Sequence, residues 1–335
     1  MEDKILITGI GGAAGISVAK SLNEFYLVGV DANPNAPGKV LVNEFYQIPY
    51  AREENFVEEL AKIAKECYCM FCTVDEELPI VAKNMDVFGC KVLVSPLESI
   101  ERCLDKFALH SYLRDRGLPT PKTVLLENQS FEELMTELGP FIVKPRRGRG
   151  SRDFFEVKNE DYFRFILSAK NYLKKEFICQ KELKGKEYSV DVLLDENGKF
   201  LIAVPRERIL TDSGISIVGK TVINPKLQEI VPRIVEALGL KYIVNVQLKE
   251  DENGEPYVTE VNPRPAGTLY LTTLSGVNMP RLLIKLLAKE KIEPWGLRYE
   301  ELIMYRLFEE KIYRKKGRGG KQKSKIYRHD DVYLK

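Results

Sequence analysis

The sequence is poor in several chemically informative residue types. Its 335 residues include two histidines, His110 and His329, and one tryptophan. Two histidines are too few for a histidine-rich zinc site, and they make histidine-based catalysis improbable. No apolar run approaches the roughly 20 residues of a membrane-spanning helix, and the start, MEDKILITGI, does not resemble a secretory signal peptide. We therefore expect a cytoplasmic protein without a membrane partner.

Cysteine is also scarce, and three of the six cysteines fall together in ECYCMFC, as Cys67, Cys69 and Cys72. Such a cluster can bind a metal, but no fourth ligand lies at motif spacing. A buried strand in which cysteine acts as a small apolar residue is the favoured interpretation.

Charged residues are abundant and of both signs. They make up 30% of the chain, hydrophobic residues make up 44%, and the net charge is +2. This composition is typical of a globular protein, and the length allows two or three domains. Seven basic residues and no acidic one lie in RKKGRGGKQKSK, residues 314–325. That segment could contact nucleic acid, but a solvated basic tail is the favoured interpretation.

Strands alternate with helices in residues 1–95, which predicts a Rossmann-like parallel sheet. KILITGIGGAAGISVAKSL reads as strand, glycine turn and helix, and FYLVGVD as a second strand. Ser95-Pro96-Leu97-Glu98 then has the pattern of a capping box at the start of the next helix.

The glycine turn matches a dinucleotide-binding fingerprint at Gly9, Gly11 and Ala14, with Asp31 ending the next strand. One interpretation is an NAD-dependent oxidoreductase. The alternatives are that the glycines only allow strand and helix to pack closely, or that they bind part of an acceptor substrate.

A second polar pattern lies in NVQLKEDENGEPYVTEVNPRPAG. Asn253-Gly254 predicts a two-residue hairpin turn, which would pair Gln247 with Glu260 and Asn245 with Asn262. Residues two apart on a strand share a face, so these four side chains would lie together, with Arg264 just beyond them. Carboxylate and amide oxygens are the ligands that Mg²⁺ prefers. An ordinary polar hairpin face is the alternative.

A basic loop precedes this hairpin in FIVKPRRGRGSRDFFEV. It follows Lys144 and contains Gly148, Gly150 and four arginines. Exposed backbone amides and positive charge suit a loop that covers a polyphosphate.

Taken in order, Lys106, Lys144, the basic loop, CQKELKGKE and the polar hairpin resemble the ATP-grasp superfamily, and the hairpin is similar to the large subunit of carbamoyl phosphate synthetase. The resemblance implies an α/β fold, with the Rossmann-like domain at 1–95, a two-lobed ATP-grasp domain at 96–310 whose central lobe is about 120–182, and a basic tail at 311–335.

The resemblance also implies a role for each matching position. The positions implied to bind ATP are Lys106, Lys144, Arg147, Gly148, Gly150, Ser151, Gln180, Lys181, Leu183 and Glu187. The positions implied to hold Mg²⁺ (or Mn²⁺) are Gln247, Glu260 and Asn262. Arg264 and Asn245 would approach the transferred phosphoryl group and the substrate.

The implied reaction is the ATP-dependent joining of a small-molecule carboxylic acid to an amine or ammonia through an acyl phosphate, with a homodimer as a further expectation. Phosphorylation of bicarbonate or carbamate is the alternative, although carbamoyl phosphate synthetase uses two grasp units and this chain has one. Arg206 and Arg208 could bind the acid, since an arginine fork suits a carboxylate, or they could belong to a surface strand of alternating charge.

Overall fold

The structure is a computed structural model that describes residues 4–148, 153–173, 176–293, 296–307 and 312. Its N-terminal part contains a five-stranded sheet with the strand order β3-β2-β1-β4-β5. All neighbouring strands in it are parallel. Its strands are β1 (Lys4–Thr8), β2 (Tyr26–Asp31), β3 (Glu44–Gln47), β4 (Cys69–Phe71) and β5 (Lys91–Leu93), and its helices are α1 (Ala13–Ser21), α2 (Phe56–Ala64) and α3 (Leu78–Lys83). Parallel strands need crossover connections, which is why strands alternate with helices along this segment. The predicted parallel-sheet domain is confirmed.

The cysteine cluster lies in and around β4. Cys69 packs in the core on one side of the sheet, and Cys67 and Cys72 pack in the core on the other. All three are buried, and none of them is in a disulfide among the described residues, which agrees with the interpretation of cysteine as an apolar strand residue.

Two helices, α4 (Leu97–Leu104) and α5 (Lys106–Arg114), follow the parallel sheet. The capping box predicted for α4 is wrong, because Pro96 is the N-cap residue and no side chain caps the helix. The Ser95 hydroxyl instead accepts a hydrogen bond from the Lys241 amide at 3.0 Å. Sequence spacing could not reveal this competing tertiary partner. The next helix is capped as usual, since the carboxylate of Asp105 accepts from the Ala108 amide at 3.1 Å.

The middle of the chain forms a four-stranded antiparallel sheet in the order β6-β9-β7-β8. Its elements are β6 (Thr123–Leu125), α6 (Phe131–Leu138), β7 (Phe141–Pro145), β8 (Phe155–Glu156), α7 (Glu160–Leu173) and β9 (Phe177–Lys181). Aromatic side chains from the helices and β7 fill its core; Phe141 and Phe163 meet edge to face, with ring centroids 5.7 Å apart.

A six-stranded sheet in the order β14-β13-β10-β11-β12-β15 completes the fold. Its elements are β10 (Glu187–Leu194), β11 (Phe200–Asp212), β12 (Ile215–Thr221), α8 (Pro225–Ala237), β13 (Ile243–Glu250), β14 (Pro256–Asn262), α9 (Leu269–Leu274), α10 (Met279–Leu287) and β15 (Ile303–Tyr305). The pairs from β14 to β12 are antiparallel. An N-terminal parallel sheet followed by antiparallel-sheet lobes confirms the predicted α/β class.

One apolar core connects the first sheet to the last. Ile7 of β1 and Val18 of α1 share it with Ile243 of β13 and Leu283 of α10. The Ser17 hydroxyl of α1 also donates to the Gly267 carbonyl at 2.9 Å. The glycine turn before α1 is therefore held beside the end of β14.

The described residues up to Met304 form one compact unit. The finer boundaries given above, at 95 and 310, stay predictions. Most of the basic tail lies outside the described residues. No helix in the part of the chain that the structure describes is long and apolar enough to cross a membrane.

Candidate functional site

The polar face on β13 and β14 forms with the predicted pairing. Gln247 lies opposite Glu260, and Asn245 lies opposite Asn262. Their neighbours Val244, Val246 and Val261 are buried in the core on the opposite side of the sheet. The shared polar face follows from strand alternation, as the sequence predicted.

The predicted turn is wrong, although the pairing is right. Next to the turn, Glu250 pairs with Pro256, and Asp251 and Glu255 close a loop of three residues, Glu252 to Gly254, with a hydrogen bond of 2.9 Å. The longer loop shifts the register of the two strands by one residue, and a β-bulge at Thr259 shifts it back. Leu248 pairs with Val258, whereas Gln247 pairs with Glu260. Two deviations from the ideal hairpin therefore cancel at the site.

The bulge has a structural consequence at Lys144. The Thr259 carbonyl oxygen accepts a hydrogen bond of 3.4 Å from the Lys144 ammonium. Bulges commonly occur beside active sites because they redirect groups of the strand, and here a main-chain oxygen of the polar hairpin holds a lysine of the four-stranded sheet.

Two cavities meet at this polar face. The first, of about 510 Å³, extends from the glycine turn to the end of β14, and we call it the glycine-turn cavity. The second, of about 330 Å³, contains Lys106 and Lys144, and we call it the lysine cavity. The residues that line both are Glu187, Arg208, Gln247 and Glu260.

The lysine cavity brings together most of the positions implied to bind ATP. They are Lys106, Lys144, Gly148, Gln180, Lys181, Leu183 and Glu187. Among the described residues, no carboxylate lies within ion-pair distance of Lys106 or Lys144; Lys106 donates to the Gly148 carbonyl at 2.7 Å. Burial, and then the charge of Lys106, lower the pKa of Lys144 to about 8, and the charges of Glu260 and Glu187 oppose this shift. The cavity thus holds two positive charges without a paired anion, which suits it to a polyphosphate.

His110 supports this cavity and was not anticipated from the sequence. Its ring lies 2.8 Å from the side-chain nitrogen of Gln180, which also donates to Thr123 at 2.8 Å. Burial, then Lys144 and Lys106, hold the pKa of His110 well below its usual range, so the neutral ring accepts from Gln180. Both amide protons of Gln180 are used inside the protein. A contact of Gln180 with an adenine would therefore have to use its side-chain oxygen or its main chain.

The basic loop is only partly described. Arg147 is mostly exposed and pairs with Asp105 at 2.9 Å rather than lining either cavity. Gly148 lines the lysine cavity. Gly150 and Ser151 lie outside the described residues.

Arg264 lines the glycine-turn cavity and is held by a residue of the N-terminal domain. Its guanidinium makes two hydrogen bonds to Asp75, at 2.6 and 2.8 Å, and a longer one of 3.4 Å to Asn262. Asp75 lies in the loop after β4, and the parallel sheet therefore fixes the arginine at the end of β14. The acid-rich DEE of TVDEELP was the only sequence signal for this partner.

The two candidate substrate arginines occupy different environments. Arg206 is buried, pairs with Asp191 at 2.7 Å, and lines neither cavity. Asp191 also accepts from Asn245 at 2.9 Å, so this ion pair supports Asn245 from beneath. An arginine saturated by internal partners does not offer a free fork to a substrate. The structure therefore corrects the expectation for Arg206 and leaves Arg208 as the candidate.

Arg208 lies at the junction of the cavities. Its Nε is 3.1 Å from the carboxylate of Glu187, and its Nη2 donates to the Gly214 carbonyl at 3.1 Å. The buried Nε–H is poorly directed for a hydrogen bond, so the contact with Glu187 is an ion pair rather than an aligned fork.

The glycine turn is packed against the protein itself. The Gly11 amide donates to Asp31 at 2.8 Å, and a side chain at Gly11 would meet that carboxylate and Ala36. A Cβ at Gly15 would lie 2.5 Å from the Gly9 carbonyl. Close packing therefore accounts for these glycines without a dinucleotide.

Comparison with known proteins agrees with this architecture. Residues 174–302 match the family described as ATP-grasp in the biosynthetic pathway with Ter operon. Residues 5–93 match the PylC-like N-terminal domain family.

Two curated relatives are carbamoyl-phosphate synthases. The enzyme of Methanobrevibacter smithii is 27% identical over 236 residues, which cover 66% of this chain and 57% of the relative. The large chain of Pyrococcus furiosus is 27% identical over 297 residues, 78% of this chain and 28% of the relative. The chain thus spans little more than half of one relative and about a quarter of the other.

One similar solved structure is the biotin carboxylase domain dimer of Hydrogenobacter thermophilus 2-oxoglutarate carboxylase, in complex with MgADP, ADP and bicarbonate. This chain superimposes on it with a TM-score of 0.72 at 18% identity. The match covers 90% of this chain and 74% of that one. At this identity the likeness establishes the shared fold.

Proposed function

We propose that this ATP-grasp superfamily protein, which has a PylC-like N-terminal domain and is distantly similar to carbamoyl-phosphate synthase, joins a carboxylic acid to an amine and releases ADP and phosphate. The superfamily assignment makes it an ATP-dependent ligase; the acid, the amine and the intermediate are the proposal.

The observation that carries the proposal is the wall shared by the two cavities. Gln247 and Glu260 line both the lysine cavity and the glycine-turn cavity. With Asn262 they offer a carboxylate and two amide oxygens, which would be suitable ligands for Mg²⁺. ATP in the lysine cavity would then direct its γ-phosphoryl group toward a substrate in the other cavity.

Mg²⁺, when bound, would neutralise phosphate charge. Lys106 and Lys144 hold the phosphates of ATP from the opposite side, and Arg264 stabilises negative charge at the phosphoryl group as it moves. An oxygen of the substrate carboxylate attacks the γ-phosphorus, and the bond from that phosphorus to ADP breaks.

The product of this first step is an acyl phosphate, which would be hydrolysed unless the site excluded water. Attack by the amine on the acyl carbon forms the C–N bond and expels phosphate. A nucleophilic serine, cysteine or histidine is not required, which agrees with the scarcity of histidine.

The test is ³¹P NMR of the protein incubated with MgATP and a panel of carboxylic acids, with hydroxylamine as a general nucleophile. An accepted acid should give ADP, phosphate and an acyl hydroxamate. AMP and pyrophosphate would instead indicate adenylation and would contradict the acyl phosphate. ADP release that depends on bicarbonate and no other acid would favour the second candidate, a carboxyphosphate- or carbamate-forming enzyme, which the similarity to carbamoyl-phosphate synthases supports.

A further inference from the structure

The glycine-turn cavity contains a carboxyl group that the chemistry above does not use. Glu77 follows β4, is 3% exposed, and lines this cavity together with Arg264 and Glu260. A buried carboxyl group is costly unless its oxygens have partners, so the partners of Glu77 indicate what the site is built for.

The hydrogen bonds to Glu77 all fall on one oxygen. Its Oε1 accepts from the Thr8 hydroxyl, from the Thr73 amide at 3.0 Å and from the Val74 amide at 3.2 Å. Within the described part of the chain, no donor lies on Oε2. The carboxyl is therefore held firmly through one oxygen, while the other remains available to a ligand in the cavity.

The charges around this oxygen favour a cation. The part of the cavity wall contributed by residues 9–77 carries Asp31 and Glu77 and no basic residue. The two arginines elsewhere in the lining are already paired, Arg264 with Asp75 and Arg208 with Glu187. A cation bound at this end of the cavity would thus meet a carboxylate oxygen that has no donor among the described residues.

The position of Glu77 is close to the proposed chemistry. Two residues before it in the same loop, Asp75 binds the Arg264 guanidinium at 2.6 Å. Apolar side chains of Ile48, Pro49 and Phe56 line the same wall, and the volume of about 510 Å³ falls in the usual range for a small-molecule site.

We infer that Glu77 binds the ammonium group of the acceptor and takes up its proton, so that the substrate is a primary amine with an apolar part. This rests on the proposed function. The proton moves from the ammonium nitrogen to Oε2, and the neutral amine attacks the acyl carbon. The electron pair of the breaking C–O bond leaves with phosphate, which takes up the second proton that the nitrogen loses. Burial raises the pKa of the Glu77 carboxyl to about 7, against the lowering effect of its hydrogen bonds, and a carboxyl with that pKa exchanges protons readily near neutral pH.

The test compares two nucleophiles in the wild type and in Glu77→Gln. Hydroxylamine is largely neutral at neutral pH, so it needs neither recognition of a charge nor deprotonation before it attacks. With the acid that gives the most hydroxamate, the acceptors assayed are the common amino acids, methylamine, benzylamine and ammonium chloride. For the best primary amine, kcat/KM should fall roughly 30-fold or more in Glu77→Gln, while hydroxamate formation changes less than about threefold. Glu76→Gln is the matched control, since it removes the same charge from an exposed neighbour that lines neither cavity.

The outcomes separate the two proposals. No acid-dependent hydroxamate with any acid would overturn the proposed function itself. Hydroxamate without transfer to any primary amine, or an equal loss for amine and hydroxylamine in Glu77→Gln, would overturn the role of Glu77 alone.

A measurement on the wild type covers the case in which Glu77→Gln fails to fold. The best amine should compete with hydroxylamine at least about tenfold more strongly than the alcohol with the same carbon skeleton, because only the amine carries the charge that Glu77 recognises. Equal competition by amine and alcohol would contradict the inference.

Discussion

The lysine cavity and the glycine-turn cavity share one wall but differ in how their charges are paired. In the lysine cavity, Lys106 and Lys144 contact main-chain carbonyl oxygens and no described carboxylate. In the glycine-turn cavity, Arg264 and Arg208 each have a carboxylate partner, and Glu77 has an unpaired oxygen. Buried charges are stable only when compensated, so the first cavity is suited to an anion and the part of the second around Glu77 is suited to a cation. Variants that disturb the shared wall or one of the cavities should therefore differ in whether they affect nucleotide binding, catalysis or both.

The largest effect is expected at the shared wall. Glu260→Ala should fold and lose ATP turnover by roughly a thousandfold, because the only carboxylate among the proposed Mg²⁺ ligands is removed. Steady-state ADP release measures this. Glu255→Ala, at the exposed end of the same hairpin, is the control and should remain active; near-normal turnover of Glu260→Ala would rule out its role as a required ligand.

Removal of the buried ammonium group of Lys144 should weaken nucleotide binding in the lysine cavity and leave the glycine-turn cavity unchanged. In Lys144→Met, the affinity for MgATP measured by calorimetry should fall roughly 10- to 100-fold, since a charge-assisted contact to phosphate is lost. The exposed Lys122→Met is the control. Unchanged affinity would show that ATP phosphates do not lie at Lys144.

Loss of the ion pair between Asp75 and Arg264 should slow catalysis and leave nucleotide binding intact. Asp75→Asn should lower kcat roughly 10- to 100-fold, because the guanidinium loses its ionic partner and its fixed orientation. The dissociation constant of MgATP should stay within about twofold. An equal loss in both quantities would mean that the two cavities do not work separately.

The pH dependence of binding should come from the lysine cavity. Lys144 is charged below its pKa of about 8 and neutral above it. The charged form attracts phosphate, so the affinity for MgATP should fall as the pH rises through about 8, and binding above that pH should take up a proton. Calorimetry in buffers of different ionisation enthalpy measures the proton uptake, and Lys144→Met should abolish it.

The smallest expected effect is a change in melting temperature that distinguishes ATP from NAD, the two nucleotides that the sequence suggested. Saturating MgATP should stabilise the fold by about 2.7 kcal/mol at a hundred times its dissociation constant, seen as a rise in melting temperature. NAD at the same concentration should give no rise, since Asp31 and Ala36 pack on Gly11. A shift with NAD and none with MgATP would reverse the assignment of the lysine cavity.

The sequence predicted most of the fold because local periodicity and chain order carry that information. Alternating strands and helices indicated the parallel sheet, and the period of two placed Gln247 and Glu260 on one face. It failed where the structure uses a different interaction from the local one that the spacing suggested. Ser95 is drawn to Lys241 instead of capping α4, and a three-residue loop with a bulge at Thr259 replaces the simple turn.

By itself, then, the sequence determined the class of fold, the pairing of the polar hairpin and the set of residues suited to Mg²⁺ and phosphate, since these depend on neighbours along the chain. Only the tertiary structure decided which charges are neutralised within the protein. Arg206 lies 15 residues from its partner Asp191, and Arg264 lies 189 residues from Asp75. The first contact depends on the pairing of two neighbouring strands, and the second depends on how the parallel sheet packs against the end of β14. Together they determine which charged groups remain available to a ligand.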